Sequence, residues 1–209
     1  MAKTGIFMMH INLHHSKGVS AVLARRMSVM QTWLVLIQEP WLYRERISGL
    51  PGCGTIYKGP LEKAPRACIA VKGMDPILVP KLSGERLEVV IASAYFPGDA
   101  DRSPPPIEVD ILIQHCQKNR IPLLLGCDGN SHHRVRGSTN INDRGRDLME
   151  HLAGTDMEIL NRGDTPTFQI INRSEILDLT LCSERLRSRV LDWRVSNEES
   201  LSDHKYILF

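Results

Sequence analysis

A chain of 209 residues with 42% hydrophobic content is long and apolar enough for one large folded domain, which argues against a disordered segment. A net charge of +2 excludes a uniformly basic surface, although a local patch is sufficient to hold nucleic acid. The cysteines, Cys53, Cys68, Cys116, Cys127 and Cys182, are odd in number and form no C-x-x-C pair, so reduced thiols in a cytosolic or nuclear setting are expected.

In chain order, apolar runs predict strands over "GIFMMHINL" (5–13), "TWLVLIQE" (32–39), "RACIAVKG" (66–73) and "LEVVIASAYF" (87–96). Further strands are expected over "PLLLGCD" (122–128), "ILDLTLC" (176–182), "VLDWRVS" (190–196) and "HKYILF" (204–209). Several are apolar on both faces, as expected where one face meets a second sheet and the other meets helices. The first predicted helix covers "SKGVSAVLARRMSVMQ", with Val19, Val22, Leu23, Met27 and Met30 on one face and Ser16 as N-cap. The other two cover 105–119 and 143–155, the last closed by Gly154. Segments 49–60 and 97–106, rich in Gly and Pro, read as surface loops. Many strands with helices set apart predict an α/β (α+β) fold, a four-layer sandwich of two packed, mainly antiparallel sheets flanked by helices. With no repeat or linker in view, residues 1–209 read as one domain. No apolar stretch reaches membrane-spanning length and the N-terminus has no signal-peptide core, so neither a membrane nor secretion is expected.

Polar groups sit at the ends of these apolar strands. Asn12, Glu39 and Tyr95 end three of them; Asp128 ends a fourth, with Asn130 just beyond. Asp178 interrupts "ILDLTL", and "SDH", Ser202–Asp203–His204, introduces the last strand. Alone, Glu39 or Asp178 reads as a solvated strand end, Asn12 and Asn130 as turn residues, Tyr95 as a core aromatic, and His132 and His133 as loop residues. The spacing C-x-D-x-N-x-H-H fits no structural zinc site. Strand ends on one rim converge, so the whole set can share a cleft.

The order N…E…Y…D-x-N…D…S-D-H resembles the exonuclease–endonuclease–phosphatase superfamily. The stretches "QEPW" (38–41), "SAYFP" (93–97), "GSTNINDRGRDLMEHL" (137–152), "LNRGDTPTF" (160–168), "LDLTL" (177–181) and "WRVSNEESLSDHKYILF" (193–209) are similar to the apurinic-type endonuclease domain of non-LTR retrotransposon polyproteins. The resemblance implies a metal-dependent phosphodiesterase that nicks one strand of double-stranded DNA and leaves a 3′-hydroxyl to prime reverse transcription. It also implies a reverse transcriptase domain as partner in the same polyprotein, and a nuclear site of action after cytoplasmic synthesis. Mg²⁺, with Mn²⁺ able to substitute, is implied at Glu39, Asn12 and Asp203, since hard oxygen ligands suit it. Asp128 is the candidate general base, with His204 paired to Asp178 also chemically competent. Asn130 and Tyr95 are implied as phosphate contacts. Arg134, Arg136, Arg144 and Arg146 cluster around the turn and following helix as candidate DNA contacts, and His132 and His133 are placed at the cleft edge. His14 stands where repair-type relatives are often acidic, Arg136 where close relatives have Trp, and Gly129 is expected to loosen the turn. Two other readings remain open: an abasic-site repair endonuclease or phosphatase on the same fold, and an inactive DNA-binding remnant.

Overall fold

The strand β1 (Met8–Asn12) alternates with period two: Met9 and Ile11 face one way, Met8, His10 and Asn12 the other. Its parallel neighbour β2 (Trp33–Gln38) does the same, with Trp33, Val35 and Ile37 opposite to Leu34, Leu36 and Gln38. The computed structural model describes residues 5–59, 64–74, 89–132 and 141–209. In it, the first set of each strand joins Val19, Leu23 and Met27 of helix α1 (Lys17–Ser28), while Met8, Leu34 and Leu36 belong to a second cluster between two sheets. Ser16 caps α1 as expected, its hydroxyl accepting from the Val19 N–H at 3.3 Å.

The first sheet continues through β5 (Thr55–Lys58) and β6 (Ala67–Lys72) on one side, and through β13 (Arg194–Val195) and β14 (Ile207–Leu208) on the other. Its order is β13-β14-β1-β2-β6-β5, antiparallel except at β1–β2. The second sheet comprises β7 (Val90–Tyr95), β8 (Leu123–Asp128), β9 (Met157–Ile159) and β12 (Asp178–Ser183), in the order β7-β8-β12-β9. Only β7–β8 is parallel there. Leu123, Leu125, Leu179 and Leu181 pack outward on α2 (Ile107–Asn119) and α3 (Asp143–Ala153), whereas Leu124 and Cys182 point inward. Helix, sheet, sheet, helices is the four-layer order expected from the sequence. Gly126 lets the sheets approach: a Cβ there would lie 2.6 Å from Leu36 Cδ1 and 3.3 Å from His10 Cγ.

Some elements differ from expectation. The 49–60 loop contains β5, which pairs with β6 along Thr55–Lys58. Two hairpins, β3 (Leu42–Tyr43) with β4 (Arg46–Ile47) and β10 (Phe168–Ile170) with β11 (Arg173–Glu175), carry exposed polar residues and so lack an apolar signature. The strand expected over 190–196 shortens to Arg194–Val195. Gly154 does follow α3, but with φ −86° it makes no use of glycine's freedom. At the other end of α3, the Asn142 side chain supplies the cap, accepting from the Gly145 N–H at 2.8 Å.

Candidate active site

The layer between the sheets changes character along its length. At one end it is Met8, Leu34, Leu36, Leu124 and Cys182; at the other the same inward-facing rows continue as Asn12, Gln38, Asp128 and Asp178. Midway, His10 Nε2 lies 2.7 Å from Gln38 Oε1, and the Gln38 amide donates to Ser93 Oγ at 2.8 Å and to the Gly126 carbonyl at 3.2 Å. This period-two continuation carries side chains from four strands to one rim.

Asp128 and Asp178 are direct partners across the antiparallel β8–β12 pair, an arrangement that sets two acids against each other. His204 relieves it. Its Nδ1 lies 2.8 Å from Asp178 Oδ2 and its Nε2 3.9 Å from Asp128 Oδ2, and all three groups are buried. Burial pulls the His204 imidazole down, but Asp178 and then Asp128 outweigh it and raise it to about 9. Burial pushes Asp178 up, and the charge and hydrogen bond of His204 reverse this, leaving it below the usual carboxylate range. Asp128 goes the other way. Burial and the Asp178 charge raise it to about 7 against the opposing pull of His204, the Asn130 N–H and Asn12. Burial and mutual charge thus hold three neighbouring groups in different ranges. Two turns brace the dyad: Thr167 Oγ1 accepts from the backbone N–H of Leu177 and Asp178, and Ser202 Oγ donates to the Asn12 carbonyl at 2.9 Å.

Asn12 bridges the carboxylates, its Nδ2 donating to Asp128 Oδ2 at 2.9 Å and to Glu39 Oε2 at 3.3 Å. Its Oδ1 is taken by the His14 N–H at 2.7 Å, so it presents a donor, not an oxygen, to the point where the acids converge. A hard divalent cation requires oxygen ligands. Glu39 Oε2 meets this point with the Asn12 amide at 3.3 Å, so its carboxylate fits such an ion. The Asp128–Asp178–His204 cluster also holds three ligand atoms within 4.8 Å of one another. Because its imidazole and Asp178 already form a pair, it is better suited to proton handling than to a hard cation.

Asp203 is expected at the ion with Glu39 and Asn12, and its neighbour here is a histidine. Its carboxylate is 42% exposed and lies 3.2 Å from His14 Nδ1, while Asp178 is the group that orients His204. The position two beyond Asn12 therefore holds an imidazole that engages an acid. Glu39 has two neighbours that sequence reasoning missed. Arg66 NH2 donates to Oε1 at 2.5 Å and His15 Nε2 lies 3.4 Å from the same oxygen. Burial raises Glu39, and the Arg66 and Asn12 hydrogen bonds more than offset it, so the group stays ionised below its ordinary range.

Asn130 turns back on this cluster: its N–H donates to Asp128 Oδ1 at 3.1 Å and its amide to the Phe96 carbonyl at 3.2 Å. Tyr95 shares a side-chain hydrogen bond with Asn130; burial and the Glu39 charge raise the phenol, which keeps it a donor. Glu39 and Asn130 adopt φ of 45° and 41°, left-handed values that cost a non-glycine residue about 1 kcal/mol or more and concentrate at functional sites. Gly129 does not loosen the turn. A Cβ there would meet Ser131 Oγ at 3.2 Å and the Leu177 carbonyl at 3.4 Å, so glycine allows close packing.

The expected DNA contacts divide. His133, Arg134 and Arg136 lie outside the described residues. His132 is not at the cleft edge: it is 9% exposed, its Nε2 2.9 Å from Arg173 NH2 and its Nδ1 3.2 Å from Glu175 Oε2. Arg144 spends its guanidinium on backbone, donating to the Pro97 carbonyl at 2.8 Å, the Asn130 carbonyl at 3.3 Å and the Arg102 carbonyl at 3.4 Å. Arg146 remains on the surface, paired with Asp143 at 2.8 Å.

Two packed sheets flanked by helices, with a buried Asp–His pair and two further acids at their shared rim, define a nuclease of the endonuclease/phosphatase fold. The chain belongs to the endonuclease–reverse transcriptase family, whose model matches residues 89–208. Among solved structures, it is similar to the endonuclease domain of TRAS1, a telomere-specific non-LTR retrotransposon, at 25% identity and a TM-score of 0.72 over 98% of this chain and 97% of that one. The same fold is shared with an AP endonuclease from Archaeoglobus fulgidus (12% identity, TM-score 0.64, 98% of each chain). It is shared as well with a 3′ phosphatase from Neisseria bound to product DNA hairpin (12% identity, TM-score 0.66, 98% of each chain). No curated protein matches the sequence.

Proposed function

We propose that residues 1–209 form the endonuclease domain of a non-LTR retroelement, which nicks one strand of duplex DNA in the presence of Mg²⁺ and leaves a 3′-hydroxyl. A reverse transcriptase domain of the same polyprotein would extend that end, and the reaction would take place in the nucleus. The observation that carries the reading is the convergence of Glu39, Asn12, Asp128, Asp178 and His204 from separate strands on one rim. Asp128 accepts the proton of the attacking water, a task suited to a carboxylate raised to about 7. His204, cationic and held by Asp178, stabilises the charge that develops on the phosphorane. The Tyr95 hydroxyl and the Asn130 amide bind phosphate oxygens and keep the group in line. Glu39 would hold the cation, which when bound would neutralise phosphate charge and the departing 3′ oxygen.

Supercoiled plasmid provides the test. With Mg²⁺ the parent converts it to open circle bearing ends that a DNA polymerase extends, and Mn²⁺ replaces Mg²⁺. Glu39→Ala and His204→Ala each lower the rate by at least about 10²-fold. Nicking by either variant at the parental rate would remove the proposed site, and activity confined to abasic plasmid would move the reading to repair.

A further inference from the structure

Arg66 stands in front of the acids. Its backbone carbonyl accepts the Glu39 N–H at 2.8 Å, which fixes the start of β6 beside the end of β2. From there the side chain passes over the Tyr95 ring, with the guanidinium carbon 4.0 Å from the centroid, and ends on Glu39 Oε1 at 2.5 Å. It is 46% exposed, whereas His204 is nearly closed off from solvent. A DNA phosphate approaching this rim is repelled by Glu39, whereas Asp128 and His204 lie too deep to meet it first. Among the described residues, Arg66 is the arginine that reaches Glu39 from the solvent side.

We propose that Arg66 is a phosphate-binding residue of this site, holding a DNA backbone phosphate while anchored on Glu39 and stacked on Tyr95. This rests on the endonuclease reading above and adds a residue to it. The planar fork of a guanidinium carries five donors, more than one carboxylate oxygen takes, and matches the oxygens of a phosphate. Stacking on Tyr95 removes rotamer freedom before the ligand arrives and keeps the fork next to the phenol that contacts the same group. A purely structural ion pair at this exposure contributes little to stability and leaves the salt slope of DNA binding unchanged when deleted.

The test separates the two. Binding of a duplex oligonucleotide is measured in EDTA over a series of salt concentrations for the parent, Arg66→Gln and Arg66→Lys, each checked for folding by thermal melting. Loss of one phosphate contact lowers the slope of log affinity against log salt by about 0.9, which is roughly five- to tenfold in affinity at 0.1 M salt. Arg66→Gln shows that loss. Arg66→Lys keeps most of the slope, since the charge remains, but loses nicking rate because an ammonium neither forks nor stacks flat. If Arg66→Gln binds with the parental affinity and slope while the parent nicks plasmid, this proposal falls and the endonuclease reading stands. If the parent neither binds nor nicks duplex DNA, the endonuclease reading falls with it.

Discussion

At the rear of the site, Asp178 and His204 form a pair sealed between two sheets, and Asp128 faces them without a solvent shell. At the front, Glu39 meets Arg66 and His15, and Asp203 meets His14, through side chains that stand partly in water. Charge at the rear is fixed by burial and by the strand register that opposes Asp128 to Asp178. Charge at the front is shared among side chains that solvent also reaches. The rear is therefore suited to moving protons and the front to capturing anions and cations. Substitutions at the two ends should fail in different ways.

The largest effect is expected at the rear. Asp128→Asn keeps the shape of the turn and should lower the nicking rate by at least about 10²-fold with little change in DNA affinity. The pH profile sharpens this. A base is active when deprotonated, so the parental rate rises as Asp128 loses its proton through about 7; it falls as His204 loses its own through about 9. The variant should lose the rising limb, and a variant that retains it would transfer the base to another group. An intermediate effect is expected at Arg144, which ties the 97–102 segment and the Asn130 turn to α3. Arg144→Ala should lower kcat roughly tenfold through misplacement of that turn, while the salt dependence of DNA binding stays unchanged. A reduced salt slope would return Arg144 to the DNA surface. The smallest effect belongs to Asp203. An exposed pair with His14 contributes between 0 and about 1 kcal/mol, so Asp203→Asn should change plasmid nicking by less than about fivefold. A loss as large as that at Asp128 would erase the distinction between rear and front.

The core strands were legible because each carries apolar residues on both faces, as in "WLVLIQ" and "LLLGCD". Strands β10 and β11 were not, since "FQI" and "RSE" gain their regularity from pairing with each other and not from burial. Site residues attached to the ends of apolar runs stood out by contrast, and Asn12, Glu39, Asp128 and Asp178 are of this kind. Arg66 also begins an apolar run, but an arginine at a strand start is ordinary, and only the pairing of β6 with β2 brings it to Glu39. His132 misled for the opposite reason. Its polar neighbours read as an exposed turn, while Glu175 and Arg173, brought in by a hairpin some forty residues away in the chain, enclose it. Arg144 likewise looks basic in sequence, and carbonyls from three separate segments absorb its donors.

The register that faces Asp128 with Asp178 has a consequence for biosynthesis. Both acids emerge from the ribosome before the imidazole that compensates them, and the same late stretch supplies β14, an interior strand bonded on both edges. A nascent polypeptide halted upstream of residue 204 would hold two uncompensated carboxylates and an unfilled gap in its sheet. Assembly of the buried acid–imidazole cluster thus waits until the segment carrying residue 204 and β14 has docked.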